Sequence, residues 1–480
     1  MAVNDQRVLA LDLGTSSVRA LLFSRDGEPV PDVLARRPTH LEIDDDGRAE
    51  LDPDAVVAAI GECLDELSDA GRLRDVSDVA LSCAWHSVIA VDAAGKPLTG
   101  ALTWADTRAS GLMGELRRRT DPARLQAATG ALPHTTYWTV KIPWLARNVR
   151  PTPARYLGLA EYVTGALLGE PCASVSQASG TGLLELASMR WLDEALELAG
   201  VDERAVPELL DPGWTGRLAG GLARRWPALA DATWHAAVGD GAASNLGAGC
   251  VTPDRVAINL GTSAAVRAVH QEPTPLTPAL WRYRVDERLL VTGAAFSGAG
   301  NLYAWARQVL ALPSDEEVEA ALDSIPPGAN GVVVMPYHAG TRVPLDLPAG
   351  SGIIAGLSLA TTAVEIVAAT LEAVGFQLAN GVQALERSLG AAPGSVEVIV
   401  SGGAVVHSPW WQQTLANVLA RPLRVVDEPE ASARGAALLA LGLTTAPRTK
   451  HVVWPKPDAV DAERAARAAY QDLAAKLGFT

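Results

Sequence analysis

Asp12-Leu13-Gly14-Thr15-Ser16-Ser17-Val18-Arg19-Ala20 and Asn259-Leu260-Gly261-Thr262-Ser263-Ala264-Ala265-Val266-Arg267-Ala268 are the stretches whose comparison decides the fold. Each follows an apolar run, and they differ mainly by one inserted small residue and an Asp/Asn exchange. The match continues on both sides of the Gly-Thr-Ser turn, which favours internal duplication over chance. Val8 to Leu13 and Val18 to Phe23 read as strand, turn, strand around the first copy. Such a turn offers unobstructed backbone N–H groups and hydroxyl donors, a combination that cradles phosphate oxygens. Either turn alone is as readily an ordinary hairpin; it is the pairing that carries the argument. Asp12 adds a carboxylate suited to Mg2+, directly or through its waters, while Asn259 is neutral. Arg19 is placed to neutralise transferring charge, or else serves as a solvated strand residue.

A chain of 480 residues exceeds one hydrophobic core, so two or three domains are expected. The net charge of −15 argues against a broad nucleic-acid-binding surface. Four cysteines, Cys63, Cys83, Cys172 and Cys250, lie far apart with no metal-ligand spacing and read as reduced and structural. No N-terminal leader pattern and no uncharged apolar run of bilayer length is present, so a soluble cytoplasmic protein with no membrane partner is expected.

Short β-branched runs alternate with helical patterns, the signature of an α/β protein. Asp52-Pro53 caps a helix running to about Leu67, and Val76 to Ser82 and Val88 to Val91 read as strands around Trp85-His86. Thr362 and Glu365 form a capping-box pattern that opens a helix to about Leu389. Val396 to Val400 is a buried strand, Ser408-Pro409 caps a helix to Leu419, and Asp458 to Leu477 is an Ala-rich amphipathic surface helix. The Gly-rich stretch Leu246 to Pro253 is a natural domain junction.

No Walker-type loop and no protein-kinase signature set is present. The residues instead resemble the FGGY carbohydrate kinases over nearly the whole chain. Leu11 to Arg19 looks like that family's first phosphate motif, Leu260 to Ser263 like its second, and Ser401-Gly402-Gly403 with Pro409-Trp410-Trp411 like its adenosine motif. The resemblance implies two actin-like (ribonuclease H-like) α/β ATPase domains facing a central cleft. The boundaries it suggests are 1–248, 249–445 and a helical tail at 446–480. It also implies ATP and Mg2+ as cofactors, with Asp12, Gly14, Thr15, Ser16, Ser17, Arg19, Gly261, Thr262, Ser263, Gly300, Gly402 and Gly403 around the nucleotide.

Val238-Gly239-Asp240-Gly241-Ala242 resembles the segment with the family's catalytic aspartate, making Asp240 the proton acceptor and, with Asp12, a metal ligand. Trp85-His86-Ser87, Trp104, Asp106 and Arg108 look like sugar-contacting segments. The intervening residues, together with His134, Tyr137, Lys141, Trp144 and the run Ala178 to Leu184, look most like gluconokinases. An acidic sugar needs a cationic partner in a desolvated pocket, and Arg108, Lys141, His86 and His134 are the candidates. The chain departs from the family pattern at Trp85, where Met is usual, and at Gly340 to Asp346, which lacks the usual Glu and Trp. A xylulose or polyol kinase is the alternative; an actin-like chaperone and a non-catalytic sugar sensor are more distant ones. A homodimer is allowed, and nothing in the sequence marks its interface.

Overall fold

The computed structural model of the chain describes residues 6–328, 331–341, 347 and 349–479. Residues 342–346 of the divergent Gly340 to Asp346 segment lie outside them. The chain divides into two compact units. The first holds residues 1–249, 281–291 and 430–446, and the second 250–280, 292–429 and 447–480.

In the first unit, β1 (Arg7–Leu13), β2 (Ser17–Ser24), β3 (Pro29–Pro38), β4 (Val76–Cys83), β5 (Thr215–Gly216) and β6 (Thr233–His235) form a sheet in the order β5-β6-β4-β1-β2-β3. A short strand, β7 (Val238–Gly239), also pairs with β4. β1 runs antiparallel to β2 and parallel to β4, so it is buried on both faces, and Val8 to Leu13 is correspondingly an apolar run broken only by Asp12. α1 (Pro53–Asp69) begins at Asp52, whose carboxylate accepts from the N–H groups of Asp54 and Ala55. It buries Val56, Ile60, Cys63, Leu64 and Leu67 against Leu9, Leu11 and Leu22. A second apolar cluster lies around α2 (Trp138–Asn148), beside the short helix α3 (Val175–Ser179). α4 (Asp240–Gly247) follows β7 directly.

In the second unit, β8 (Arg255–Leu260), β9 (Ala264–His270), β10 (Trp281–Arg284), β11 (Leu290–Phe296), β12 (Glu397–Ser401), β13 (Leu423–Val426) and β14 (Thr449–Val453) are ordered β10-β11-β9-β8-β12-β13-β14. Residues 281–291, which hold β10 and the turn after it, nonetheless cluster with the first unit. The helices are α5 (Gly300–Val309), α6 (Ala363–Leu389), α7 (Pro409–Leu419), α8 (Ala431–Leu441) and α9 (Pro457–Lys476), of which α8 belongs to the first unit. α6 opens on a complete capping box between Thr362 and Glu365, and its 27 residues pack on the second unit's core.

The compact units therefore share the chain differently from the sequence partition at 248/249 and 445/446. Two segments from the later half fold with the first unit, and α9 buries Glu463, Tyr470 and Ala474 within the second. The four cysteines are free. Among the described residues no helix is long and apolar enough to cross a membrane.

Candidate active site

Three parallel strand ends build the centre of the first unit. Asp12 on β1 pairs in register with Ser82 on β4, and Ser82 with Val238 on β7. The chain passes from β7 straight into α4, whose first residue is Asp240. Two carboxylates more than two hundred residues apart thus come to the ends of the two strands that flank β4, at the end of the sheet where open α/β sheets bind ligands. Asp240 accepts from the Gly241 N–H at 2.8 Å. Burial pushes the Asp12 carboxyl up to about 6; Ser82 and Arg19 draw it down, and Asp240 and Glu430 raise it further. Asp12 Oδ1 is buried, and neither it nor Ser82 Oγ completes a well-formed hydrogen bond among the described residues.

These residues fit Mg2+. A buried acceptor oxygen without a donor, beside a second carboxylate, is what a hard cation with oxygen ligands takes. Among the described residues no group of three or more His, Cys, Asp or Glu is gathered as a metal cage. Mg2+ needs none, since it usually takes one or two carboxylates and keeps waters or substrate phosphates.

The first Gly-Thr-Ser turn is closed by Gly14 N–H to Ser17 O at 3.1 Å. Thr15 is half-buried and Ser16 exposed, whereas Ser17 is buried and its hydroxyl accepts from Arg19 Nε at 3.1 Å. Arg19 pairs with Glu430 at 2.8 Å and lies 3.7 Å from Asp12. Glu430 immediately precedes α8, which crosses α4 so closely that a Cβ on Gly435 would lie 1.8 Å from Ala243 O, and one on Gly247 1.9 Å from Ala431 O. Buried Arg434 ties the crossing by donating to Gly247 O at 2.8 Å. This contact between small residues holds the helix that begins at Asp240.

Trp85 and His86 leave the end of β4. The Trp85 indole lies flat against glycines: a Cβ on Gly239 would come within 1.8 Å of its ring and one on Gly180 within 2.5 Å. Its Nε1 donates to Ser176 O at 2.9 Å. A larger residue in place of the family's Met thus fits because its neighbours have no side chains. His86 adopts φ 73°, a conformation disfavoured for L residues, with Nδ1 2.6 Å from Gly180 O. Ser87 is structural in its contacts: its hydroxyl accepts from Leu159 N–H and its carbonyl from Trp138 Nε1, both at 2.9 Å.

Arg108, Asp106 and Lys141 are engaged within the protein. Arg108 forms ion pairs with Glu50 and Asp106 and stacks over Trp144 at 4.6 Å. Asp106 is 0% exposed and also accepts from Ala49 N–H at 3.0 Å. Lys141 is 0% exposed, with its ammonium on the carbonyl of Thr103 and 3.4 Å from that of His86. Arg108 is thus charge-paired by Glu50 and Asp106, and the Lys141 ammonium is hydrogen-bonded to main-chain carbonyls. Trp104 is half-buried, its carbonyl 3.5 Å from Thr136 Oγ1; His134 Nδ1 lies 2.8 Å from the same hydroxyl.

The second unit repeats the first loop's construction. Gly261 N–H donates to Ser263 O at 3.0 Å, and Asn259 pairs in register with Ser401 as Asp12 does with Ser82. Gly300 N–H and Asn301 N–H, at the start of α5, donate to the carbonyls of Gly261 and Thr262 at 3.0 and 3.1 Å. Gly402 has φ 104°, and a Cβ there would lie 2.2 Å from Leu260 O, so only glycine fits. Gly403 opens the short helix Gly403–Val406. The echo is imperfect. Leu13 pairs with Val18, but Leu260 with Ala264, so the second turn is one residue shorter and the extra residue lies in the strand. Arg19 therefore faces Asp12 in register, whereas Arg267 faces Ala257.

Sequence reasoning missed Glu50, Ser176, Trp281, Tyr283 and Glu430. The alternation Trp281-Arg282-Tyr283 in an aromatic-poor chain was a readable signal; the others had none.

Duplicated Gly-Thr-Ser loops on two α/β units, with carboxylates at the strand ends of the first, are consistent with the actin-like ATPase fold. Residues 7–247 match the N-terminal domain of the FGGY family of carbohydrate kinases and residues 256–442 its C-terminal domain, so the chain belongs to that family. It is 27% identical over 456 residues to a gluconokinase of Bacillus subtilis (strain 168), covering 91% of this chain and 87% of that one. It is 28% identical over 428 residues to a xylulose kinase of Escherichia coli (strain K12), covering 86% and 85%. The crystal structure of a ligand-bound xylulose kinase from Lactobacillus acidophilus superposes with TM-score 0.90 at 22% identity over 98% of each chain, a likeness of fold.

Proposed function

We propose that this carbohydrate kinase transfers the γ-phosphoryl group of ATP to a terminal hydroxyl of a small open-chain sugar or sugar acid, with gluconate as the acceptor. The observation that carries the chemistry is the placement of Asp12 and Asp240 at the ends of the two strands that flank β4, with Asp12 raised to about 6 and its Oδ1 unpaired among the described residues. Asp240 accepts the proton of the attacking hydroxyl. The sugar hydroxyl oxygen forms a bond to the γ-phosphorus, the bond to the β–γ bridging oxygen breaks, and ADP leaves with that electron pair. Mg2+, held by Asp12 and Asp240, would supply charge neutralisation on the phosphates. In the first unit, Thr15 and Ser16 offer donors to phosphate oxygens, with Gly14 closing the turn; in the second, Thr262, Ser263, Gly300, Gly402 and Gly403 form the nucleotide surface. Arg19 sets the charge beside Asp12, and Ser17 orients Arg19. General-base action contributes about 100- to 10,000-fold, so positioning must supply much of the rest.

Gluconate is supported by the resemblance at Ala90 to Asp92, Lys96 to Thr99, His134, Tyr137, Lys141, Trp144 and the Ala178 to Leu184 run, and by similarity to proteins named gluconokinase. One observation favours a second reading, a neutral pentulose such as xylulose: Arg108, one of the cations expected to meet a sugar carboxylate, is already paired with Glu50 and Asp106. An ADP-release assay over gluconate, xylulose, ribulose, glycerol and fuculose separates the two. Turnover led by gluconate supports the first reading, and turnover led by a neutral ketose the second. ATP turnover indifferent to every sugar overturns both.

A further inference from the structure

We propose that β10, Trp281 to Arg284, is a positioning element of the acceptor site, acting through Ser176 on Asp240 and through Tyr283 on His86. This rests on the reading of Asp240 as proton acceptor and His86 as a sugar-site residue. It adds a segment that lies in the later half of the sequence but folds with the first unit.

The first link is a single hydroxyl. Ser176 Oγ donates to Arg284 O at 3.1 Å and accepts from Gly239 N–H at 3.0 Å. Gly239 immediately precedes Asp240, and Ser176 O holds the Trp85 indole at 2.9 Å. Arg284 N–H is itself anchored on Ser179 Oγ at 2.9 Å. The strand is thus fastened at both sides of one residue to α3. Ser174 Oγ ties the start of α3 to Ala237 O at 2.5 Å, and Gln177 Nε2 ties its middle to Cys83 O at 3.0 Å. α3 therefore bridges the ends of the strands that carry Trp85 and Asp240, with β10 as its outer brace.

The second link is aromatic. Trp281 and Tyr283, two apart on one strand, share a face and stack at 4.5 Å with 14° between planes. The Tyr283 hydroxyl meets the Tyr137 hydroxyl at 2.6 Å, and both rings stand edge-on to His86, at centroid distances of 5.4 and 5.5 Å. Trp85 closes the group at 5.0 Å from Tyr283. His86 holds a left-handed conformation, which persists only where its surroundings over-determine it. The two tyrosines, with Gly180 O, are that surround. Phenylalanines would fill the same volume; a buried hydroxyl pair instead imposes a direction on both rings.

The test uses the full chain, with gluconate and xylulose each assayed at saturating ATP. Tyr283→Phe keeps the ring and removes the hydroxyl pair. It should raise the acceptor KM about 5- to 10-fold, the size expected of one hydrogen bond, with kcat, the KM for ATP and the unfolding temperature little changed. Ser176→Ala should act on the other term, lowering kcat about 10-fold or more with a smaller effect on acceptor KM. Wild-type kinetics in both variants overturn the inference. So does a loss spread evenly over kcat, both KM values and stability, which would make β10 a structural brace only. A wild-type chain that phosphorylates no sugar overturns the parent reading instead, and this one with it.

Discussion

Asp12 is where burial and function pull against each other. Its carboxyl is raised from 3.8 to about 6, so the folded state binds its proton more tightly than the unfolded chain does. The sign follows from linkage: the associated stability is complete below pH 3.8 and is lost as pH rises through about 6. Asp12→Asn should therefore stabilise the ligand-free protein at pH 7.5 by roughly 2–3 kcal/mol, and by less at pH 5, while abolishing turnover. Urea unfolding at the two pH values checks it; an equal gain at both would show that ionisation is not the cause. Asp240→Asn should lower kcat by at least about 100-fold while acceptor binding, followed by Trp fluorescence, persists. Near-normal turnover would remove Asp240 from the proton-accepting role. Both residues were legible because each stands in a short local motif. The pairing of Arg108 with Glu50 was not, because Glu50 is distant in sequence and meets it only through folding.

Among the elements, the segment carrying Trp104 to Arg108 is held by charge, since Arg108 stands between two buried carboxylates and an indole. Removing the guanidinium leaves Asp106 buried without its cation, while Glu50 keeps Arg48 at 3.0 Å; breaking such a buried pair costs about 3–5 kcal/mol. Arg108→Ala should thus lower the urea midpoint of the first unit, and weaken gluconate and xylulose alike. Selective loss of gluconate with unchanged stability would restore Arg108 as a carboxylate contact. Helix starts were readable to the residue at Asp52 and Thr362, because capping is chemistry between positions two or three apart. The register of the second loop was not. Counting residues placed one insertion between the copies; only strand pairing shows that it shortens the turn and moves Arg267 two positions away from Asn259.

Over the whole molecule, the chain returns twice from its later half to the first unit, with β10 and α8, and ends on a helix built into the second. That last helix, α9, buries Glu463, whose carboxyl is held well above the ordinary glutamate value of 4.5 by burial and then by Glu372. The unfolded chain releases this proton at lower pH than the folded one, so stability is lost as pH climbs above about 4.5. Glu463→Gln should raise the unfolding temperature at pH 8 and change it little at pH 5; an unchanged temperature at pH 8 would show that α9 does not limit stability. The amino-acid sequence by itself determined the α/β class, the duplicated loops with Asp12 at the end of the first strand, and the resemblance that singled out Asp240. Each of these is written in periodicity, caps or contiguous motifs of a few residues. Tertiary structure alone decided that Glu430 is the partner of Arg19, that Glu50 pairs with Arg108, and that Tyr283 stands beside His86 and Trp281 beside Trp85. Such pairings join residues tens to hundreds of positions apart, and no local pattern encodes a contact that exists only once the sheets have closed.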